Sequence, residues 1–379
     1  MLLRKLANVF VEIWVLLGIT LLLLVGLEIG ARIVFALRDV WQSAGSAQLI
    51  ERSLGADVYR GQDWAEDYWR EANQTVQTAH ANWHSYVYWR RKPYQGKYIV
   101  IDDDGIRRTW NKSSAPSSTQ LKIFMFGGSA LWGTGARDEF TIPSLVSKKL
   151  QAKNVDVWVT NFGEGGYVST QEVIVLMIEL QKGNVPDVVV FYDGVNDTFS
   201  AFQQGVAGIP QNEYNRVWSF GGLNWRGEVI EKLALYRAVR GLVSSRQGKA
   251  TEKSDAQLAN AVLDVYSSNM QIVQALAQEY GFAATFYWQP VVYTKKTQSA
   301  WEKQELDRYG EARFFQHVYQ DANQKLGTNG CGNFHDLSSA FSDEAGTVFI
   351  DAFHTSEAGN DQVADLIVQT LPQVTPRRK

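Results

Sequence analysis

The stretch from Leu121 to Gly135 constrains the fold most strongly, because it joins a short apolar run to a glycine-rich turn and a serine. Its apolar residues 123–126 are typical of a buried strand in a parallel sheet. Gly127 and Gly128 end the run, and Ser129 follows at once. Such a turn places the hydroxyl at the carboxyl edge of the sheet, where open α/β sheets bind their ligands. Backbone N–H groups after the turn can face a developing negative charge, so Ser129 is a candidate nucleophile.

Other uses of the same glycines must be weighed against this interpretation. A phosphate-binding loop needs Lys followed by Ser or Thr, whereas here Gly133 is followed by Thr134 with no Lys. A dinucleotide-binding turn needs G-x-G-x-x-G, which the stretch does not contain. Taken alone, the stretch favours an ordinary strand-to-helix turn whose glycines only permit close packing. The assignment therefore depends on the rest of the chain.

Composition excludes several function classes. The chain has 379 residues, of which 45% are hydrophobic and 20% charged, which is typical of one large globular domain or two smaller ones. Its net charge of -3 gives no electrostatic reason to expect a nucleic-acid partner. Cys331 is the only cysteine, so the chain has no intramolecular disulfide and no zinc site built from cysteines.

The N-terminal segment, residues 1–37, predicts a membrane anchor. Between Leu6 and Leu27 the only charged residue is Glu12, and about 20 apolar residues suffice to cross a bilayer. A cleaved signal peptide usually has a shorter apolar region and a small-residue cleavage site, so we expect an uncleaved transmembrane helix. Arg4 and Lys5 favour a cytoplasmic N-terminus, although Arg32 and Arg38 beyond the helix weaken that bias. The sequence thus predicts a single-pass protein of the inner or plasma membrane, with its body in the periplasm or outside the cell.

Residues 38–119 form a polar lead-in segment that is rich in aromatic residues. These are Trp64, Tyr68, Trp69, Trp83, Tyr86, Tyr88, Trp89, Tyr94 and Tyr98. They could stack on sugar rings, but packing against the main domain is the commoner role of aromatics and is favoured here. Tyr98–Arg108 predicts a hairpin around Asp104-Gly105, and the loop Lys112–Thr119 marks the boundary of a main domain at 120–379.

The main domain alternates strand and helix patterns. Further strands are predicted at Val155–Thr160, Asp187–Tyr192 and Phe282–Trp288, and helices at about Thr170–Gln181, Ala256–Tyr280 and Ala300–Leu326. This alternation predicts a parallel, doubly wound α/β sheet. An insertion at about 203–255, with Trp218, Trp225 and a helical pattern at Glu228–Val243, is typical of a lid or substrate wall.

Turns after the predicted strands, together with one near the C-terminus, supply a set of groups suited to acyl transfer. A serine nucleophile needs a base for its proton, and His354 can serve. Asp351, three residues upstream, can orient that imidazole and stabilise its charged form. The oxyanion needs donors, and the candidates are the N–H groups of Ser129 and Gly166 and the side-chain amide of Asn196.

In this order the four turns resemble the blocks of the SGNH/GDSL hydrolases. They read FGGSALWG, NFGEGGY, DGVND and DAFHTSEAGN, and the resemblance covers about Leu121 to Leu371. It implies Ser129 as nucleophile, Gly166 and Asn196 as oxyanion donors, and Asp351 and His354 as the orienting acid and the base. It also implies a three-layer α/β/α flavodoxin-like sandwich of about five parallel strands. The chain departs from the family at Gly128, where an Asp commonly precedes the serine.

Each assignment has a structural alternative. Ser129 or Asp351 could be a helix N-cap, with His354 on the surface, and Asn196 could be only a turn residue. Asp197 is expected to cap the next helix. The remaining histidines are treated as structural, and two acidic residues stay unassigned. The histidines are His80, His84, His317 and His335, and the acids are Glu164 and Asp343.

Together these features predict a membrane-anchored serine esterase that removes acyl groups, foremost acetyl, from cell-envelope or exopolysaccharide sugars, with no metal or cofactor. O-acetyl transfer by the same residues, with a membrane acyltransferase as donor partner, stays open. So does a non-catalytic role as a subunit of a polysaccharide assembly. A lipase is a further alternative, although no acyl-chain groove is visible in the sequence.

Overall fold

The computed structural model describes residues 2–76, 81–213, 216, 254–308, 312–327 and 333–376. The chain divides into two compact units, Met1–Leu49 with Tyr214–Lys249, and Ile50–Glu213 with Ala250–Lys379. Most of the predicted insertion at 203–255 lies outside the described residues, including Trp218, Trp225 and the helical pattern Glu228–Val243.

The N-terminal helix α1 runs from Leu2 to Leu54. Within it, Asn8–Val34 forms 27 residues of mean hydropathy 2.5, none of them buried. Leu22, for example, is 72% exposed. Apolar side chains on all sides of a helix of this length suit a membrane interior, so α1 could span a bilayer or serve as a signal sequence.

The described residues of the lead-in segment comprise the end of α1, a short 3-10 helix at Asp57–Tyr59, one further α-helix and two small hairpins. Helix α2 spans Ala65–Val76, β1 (Ala81–His84) pairs antiparallel with β2 (Tyr88–Arg91), and β3 (Tyr94–Gln95) pairs antiparallel with β4 (Val100–Ile101). The reversal predicted around Asp104-Gly105 is present, since Gly105 N–H donates to Asp102 O at 3.0 Å and Ile101 bridges to Arg107. The strand partner of β4, however, is β3, which precedes it.

Five parallel strands form the central sheet. They are β5 (Leu121–Gly127), β6 (Val157–Asn161), β7 (Val188–Asp193), β8 (Ala283–Trp288) and β9 (Phe334–Asp336). Their spatial order is β6-β5-β7-β8-β9, which is the flavodoxin-like order 2-1-3-4-5. The chain therefore reverses its direction of winding between β5 and β7, and the crevice at the carboxyl ends of these two strands is the place where such folds bind ligands.

Helices cover both faces of the sheet and complete the predicted three-layer α/β/α fold. They are α3 (Ser129–Trp132), α4 (Ile142–Ala152), α5 (Ser169–Gln181), α6 (Val195–Gln204), α7 (Asp255–Tyr280), α8 (Ala300–Leu306), α9 (Ala312–Gly327) and α10 (Glu357–Thr370). Helix α4 packs against α10, whereas α7 packs against α5, α6 and α9. The helix predicted at Ala300–Leu326 is instead two helices, α8 and α9.

The core beneath the carboxyl edge is aromatic. Phe126 of β5 stacks on Phe162 at 5.0 Å between ring centroids and on Phe191 at 5.1 Å, and Phe191 stacks on Phe286 at 5.4 Å. Rings with little conformational freedom fix the spacing of three neighbouring strands. The turns that carry the candidate site residues therefore begin at the ends of strands whose spacing is fixed by these stacked rings.

The lead-in segment packs on the loop that follows α3. Arg107 is fully buried and donates to the carbonyls of Gly133 at 2.7 Å and Ala136 at 2.6 Å, while its Nε pairs with Asp138 at 2.9 Å. Tyr68 is also fully buried, and its hydroxyl accepts from Gly135 N–H at 2.8 Å. Residues far upstream of the sheet thus hold the loop after the nucleophile in place.

Candidate active site

Ser129 lies at the carboxyl edge of the sheet, as the first residue of the short helix α3. Strand β5 ends at Gly127, and Gly128 turns the chain as the N-cap in an extended conformation. Ser129 is therefore not the N-cap, and its own side chain is half-buried and free to face the crevice. The glycine-rich turn thus holds a hydroxyl at the switch point between β5 and β7.

His354 connects Ser129 with a carboxylate. Its Nε2 lies 2.7 Å from Ser129 Oγ, and its Nδ1 lies 2.7 Å from Asp351 Oδ2. With the proton of the neutral ring on Nδ1, His354 donates to Asp351 and accepts from the Ser129 hydroxyl. The His354 side chain is 15% exposed, so the ring is held in place but remains within reach of a substrate. This is the geometry that a base and its orienting acid require.

The D-x-x-H spacing places Asp351 and His354 side by side through a local turn. Asp351 Oδ1 accepts from the N–H groups of Phe353 and His354, both at 2.8 Å, which leaves Oδ2 for the imidazole. Burial raises the pKa of Asp351, but the nearby His354 and these hydrogen bonds outweigh it and hold the pKa below its ordinary value. Ser356 is the N-cap of α10, so Asp351 is not used as a cap.

Three donors without an acceptor among the described residues are the candidates for binding an oxyanion. In the described part of the chain no acceptor is found for the backbone N–H of Ser129 or of Gly166, which follow β5 and β6 respectively. Asn196, after β7, contributes a side-chain amide whose nitrogen likewise has no acceptor among the described residues. Gly166 has a φ of +81°, a conformation that favours glycine. Carbonyl oxygens that become negative need such unpaired donors.

Gly128 explains how Asn196 reaches the nucleophile. A Cβ at Gly128 would lie 2.1 Å from Asn196 Nδ2, so only glycine leaves room for the amide beside the backbone of Ser129. Gln211 Nε2 donates to Asn196 Oδ1 at 3.4 Å and so keeps the carbonyl oxygen of the amide on the side away from Gly128. The residue by which the chain departs from the SGNH/GDSL pattern thus leaves room for the candidate donor Asn196.

Glu164, left unassigned from the sequence, braces the turn that carries Gly166. Its buried carboxylate accepts from Arg91 Nε at 2.9 Å and from Gly165 N–H at 2.9 Å. Trp89 Nε1 adds a bond to Gly165 O at 3.0 Å. Strand β2 of the lead-in segment thereby fixes the turn that carries the candidate donor Gly166.

A buried ion pair holds the chain just before Asp351. Lys295 and Glu302 are fully buried, with Lys295 Nζ 2.6 Å from Glu302 Oε2. Glu302 Oε1 also accepts from the N–H groups of Val348 at 2.9 Å and Phe349 at 3.1 Å. Two residues beyond Phe349 the chain reaches Asp351, so this pair positions the loop that presents the imidazole.

Three carboxyl groups are buried behind the turns of Gly166 and Asn196. Burial raises the pKa of Asp193 to about 8 and that of Asp197 to about 6, and it raises the pKa of Glu172 well above its ordinary value. Asp193 accepts from Tyr266 at 3.0 Å. Asp197 accepts from Ser169 Oγ at 2.6 Å and so supports the start of α5. The sequence predicts Asp197 as a cap of α6, whereas the N-cap of α6 is Gly194.

The other singled-out residues lie outside this arrangement. His335 stacks on Tyr287 at 5.0 Å between centroids, and burial lowers its pKa. Asp343 forms an exposed ion pair with Lys296 at 3.2 Å. His80 is outside the described residues, and no cluster of three or more His, Cys, Asp or Glu side chains arranged to hold a metal occurs in the part that the structure describes.

Sequence reasoning missed the supporting residues around the site. Gln211, Glu302 and Lys295 belong to no block, and their roles depend on contacts that only the folded chain creates. The double glycine Gly127-Gly128 is the sequence signal that a close approach occurs at this turn. Only the folded chain shows that the approaching group is the amide of Asn196.

The solved structures to which this chain is similar include an esterase and lipolytic enzymes. An acetyl xylan esterase aligns with 66% of this chain and all of its own length, at 17% identity and a TM-score of 0.41. A member of the lipolytic protein G-D-S-L family from Veillonella parvula aligns with 67% of this chain and 99% of its own, at 12% identity and TM-score 0.37. A lipase/acylhydrolase from Enterococcus faecalis aligns with 66% of this chain and 94% of its own, at 15% identity and a TM-score of 0.36. The sequence matches no family model, and no curated protein is similar to it.

Proposed function

We propose that this protein is a serine esterase of the SGNH/GDSL type, anchored in a membrane, that removes acetyl or other short acyl groups from cell-envelope or exopolysaccharide sugars. The observation that carries the esterase assignment is the continuous chain of hydrogen bonds from Ser129 Oγ through His354 to Asp351, with 2.7 Å at each ring nitrogen. A hydroxyl, an imidazole and a carboxylate in this arrangement activate serine toward carbonyl carbon.

The first half of the reaction forms an acyl-enzyme. Ser129 Oγ attacks the ester carbonyl carbon while its proton passes to His354 Nε2. The carbonyl oxygen becomes negative and receives hydrogen bonds from Ser129 N–H, Gly166 N–H and the amide of Asn196. As the intermediate collapses, the bond to the sugar oxygen breaks and that oxygen takes the proton from Nε2. The acyl group is left on Ser129.

The second half regenerates the enzyme. A water molecule gives its proton to His354 Nε2 and attacks the acyl carbon, which passes through a second oxyanion stabilised by the same three donors. The bond to Ser129 Oγ then breaks and the serine recovers its proton from His354. Throughout, Asp351 holds the ring orientation and stabilises its charged form.

The N-terminal helix and its flanking charges support the membrane location and, through it, the sugar substrate. Helix α1 is long and apolar enough to cross a bilayer, and Arg4 and Lys5 favour a body on the outer side of a cell membrane. Acylated sugars of the cell envelope are one ester class that such a position makes accessible. Together these points support an envelope or exopolysaccharide ester as substrate.

Product analysis tests the proposal. The detergent-solubilised protein is incubated with an acetylated oligosaccharide, alone and with an excess of an unacetylated acceptor glycan, and acetate and acetylated acceptor are quantified. We expect acetate in both reactions and none with Ser129→Ala. Acetylated acceptor as the main product would establish transfer in place of hydrolysis. No product from folded wild-type protein with any short acyl ester would overturn the esterase assignment and favour a non-catalytic role.

A further inference from the structure

A second concave site lies beside the edge strand β6. It is a groove of about 680 Å³ between β6 and the segment that leads into the main sheet. We call it the Trp158 groove, and its lining includes Asp102, Arg108, Thr109, Trp110, Glu139 and Trp158. None of the candidate catalytic or oxyanion residues lines it. Its volume falls in the range of about 300–1,000 Å³ that is typical of small-molecule sites.

The backbone of the edge strand is already occupied, which excludes a peptide strand as the ligand. The side chain of Asn111 donates to Val159 O at 2.9 Å and accepts from Val159 N–H at 2.9 Å. Arg107 forms an antiparallel bridge with Asn161 two residues further on. Because these contacts use the backbone groups that an added strand would need, recognition in the groove must come from side chains.

Two tryptophans give the groove flat apolar surfaces. Trp110 and Trp158 are both half-buried. Lys148 Nζ lies 5.5 Å from the ring centroid of Trp110. The backbone of Trp158 pairs with β5, whereas its indole has neither a ring contact nor a hydrogen bond with any residue in the described part of the chain. A large ring that lines a groove without such a partner is suited to stack on a flat, partly apolar ligand.

The polar groups of the groove favour a neutral ligand with hydroxyl groups. The hydroxyl of Thr109 is buried and has no hydrogen-bond partner among the described residues, which is a costly state unless a ligand or water satisfies it. Arg108 is paired with Asp138 and Lys148 with Glu139, each at 3.2 Å, so the cations at the groove already have counter-charges, and Asp102 adds one further carboxylate. An anionic ligand would therefore gain no ion pair from these groups, whereas carboxylates and hydroxyls are good partners for sugar hydroxyls.

We propose that the Trp158 groove binds a neutral oligosaccharide, with a sugar ring stacked on Trp158, as a subsite separate from Ser129. Its role in holding a polysaccharide while an ester is cleaved elsewhere on the molecule rests on the proposed function. The binding itself needs neither Ser129 nor His354. The groove and the candidate active site can therefore be tested independently.

The test measures binding of four neutral hexasaccharides, made of glucose, xylose, mannose or N-acetylglucosamine units, to the full-length Ser129→Ala protein in detergent. Quenching of tryptophan fluorescence and calorimetry report the Kd. We expect at least one hexasaccharide to bind and its Kd to rise about tenfold in the additional variant Trp158→Ala, since stacking on an aromatic ring contributes at about this level. Trp158→Phe, which keeps a ring, should retain most of the affinity.

Trp83→Ala is the matched control, because Trp83 is 62% exposed and does not line the groove. It should leave the Kd unchanged, and circular dichroism should show all variants folded. The proposal is overturned if no neutral hexasaccharide binds, if only an anionic glycan such as oligogalacturonate binds, or if Trp158→Ala and Trp83→Ala bind alike. Hydrolysis of nitrophenyl acetate by protein with an intact Ser129 should be unaffected by Trp158→Ala, so failure of binding and failure of catalysis give different results.

Discussion

His354 brings together two groups that are more than two hundred positions apart in the sequence. Ser129 follows β5, the first strand of the central sheet in chain order, whereas Asp351 and His354 precede the last helix. The local turn of Asp351 fixes the imidazole before any substrate is present, through two backbone hydrogen bonds at 2.8 Å. Preorganisation of this kind spares the enzyme the cost of arranging its groups during the reaction.

Replacement of Asp351 by Asn should abolish most of the esterase activity. An amide cannot stabilise the imidazolium and permits the wrong tautomer, so kcat for nitrophenyl acetate should fall about 10³–10⁴-fold with little change in KM. Asp343→Asn is the control, because this carboxylate is 88% exposed and lies in a surface ion pair. Equal activities in the two variants would exclude the assigned role of Asp351.

At Gly128 a single methyl group should disturb the oxyanion site. Gly128→Ala would place Cβ 2.1 Å from Asn196 Nδ2 and displace that amide. Loss of one oxyanion donor lowers kcat by about 10²–10³-fold, and stopped assays of acetate release would measure it. Gly327→Ala is the control, since its added Cβ would meet its nearest neighbour at 3.4 Å, an ordinary contact. Full activity in Gly128→Ala would show that the reaction does not need the Asn196 amide in its present position.

The elements around the site hold its loops by buried polar contacts. The lead-in segment braces the turns of Ser129 and Gly166 through Arg107 and Arg91, and the pair Lys295–Glu302 braces the loop before Asp351. Each contact joins a turn of the central sheet to a segment distant in sequence. The catalytic groups therefore depend on parts of the fold that carry no catalytic motif.

Glu302→Gln should destabilise the protein and also slow reaction at Ser129. The change leaves Lys295 buried without its counter-charge, which costs about 3–5 kcal/mol in comparable buried pairs. Urea unfolding would measure this loss, and the loop that presents His354 should become less well held. The double variant Lys295→Met/Glu302→Leu removes both charges and should recover part of the stability. A wild-type unfolding free energy in Glu302→Gln would contradict the positioning role.

On the scale of the whole molecule, the buried carboxyl groups should make stability depend on pH. Their pKa values are raised by burial, to about 6 for Asp197 and about 8 for Asp193, with Glu172 raised as well. Acids with a raised folded-state pKa stabilise the fold fully below their unfolded value, about pH 4, and this contribution is lost as pH rises through the folded value. Arg90 is the cation whose charge partly opposes the shift at Glu172.

The expected result is that these groups make the unfolding free energy fall between pH 5 and pH 8. Urea titrations at pH 5, 6.5 and 8 would show the slope, and Glu172→Gln together with Asp193→Asn should flatten it. Asp264→Asn, an exposed partner of Lys325, is the control and should leave the slope unchanged. The interpretation fails if the double variant and wild type change in parallel with pH.

How much the sequence predicts depends on how local the signal is. Strands β5, β7 and β8 are largely apolar and were predicted within a few residues, because strands buried on both faces need such runs. The edge strand β6 was predicted as closely, although every second residue in it is only half-buried. Strand β9, Phe334–Asp336, is three residues long and includes His335 and Asp336, so it has no apolar run to reveal it. The prediction of a single helix at Ala300–Leu326 is wrong, since α8 ends at Leu306 and α9 begins at Ala312. The helical pattern of the sequence continues across this junction and does not reveal the break.

The site shows the same division. Ser129, Asp351 and His354 were found because their blocks are local and the resemblance supplies their order. The burial of Glu172 and Asp193 could not be predicted, because carboxylates in such elements are usually solvated and only the tertiary packing desolvates them. Contacts such as that of Glu302 with Val348 join segments 46 residues apart, and nothing in a single sequence indicates that the two segments meet.

The most direct test of the central claim is covalent labelling with a fluorophosphonate, followed by mass spectrometry of the digested full-length protein. The probe should attach to Ser129 in the wild type, attach at least a hundredfold more slowly in His354→Ala, and leave Ser129→Ala unlabelled at every site. Attachment at another residue, or no reaction at Ser129 in protein shown to be folded, would contradict the assignment of this serine as a nucleophile activated by His354.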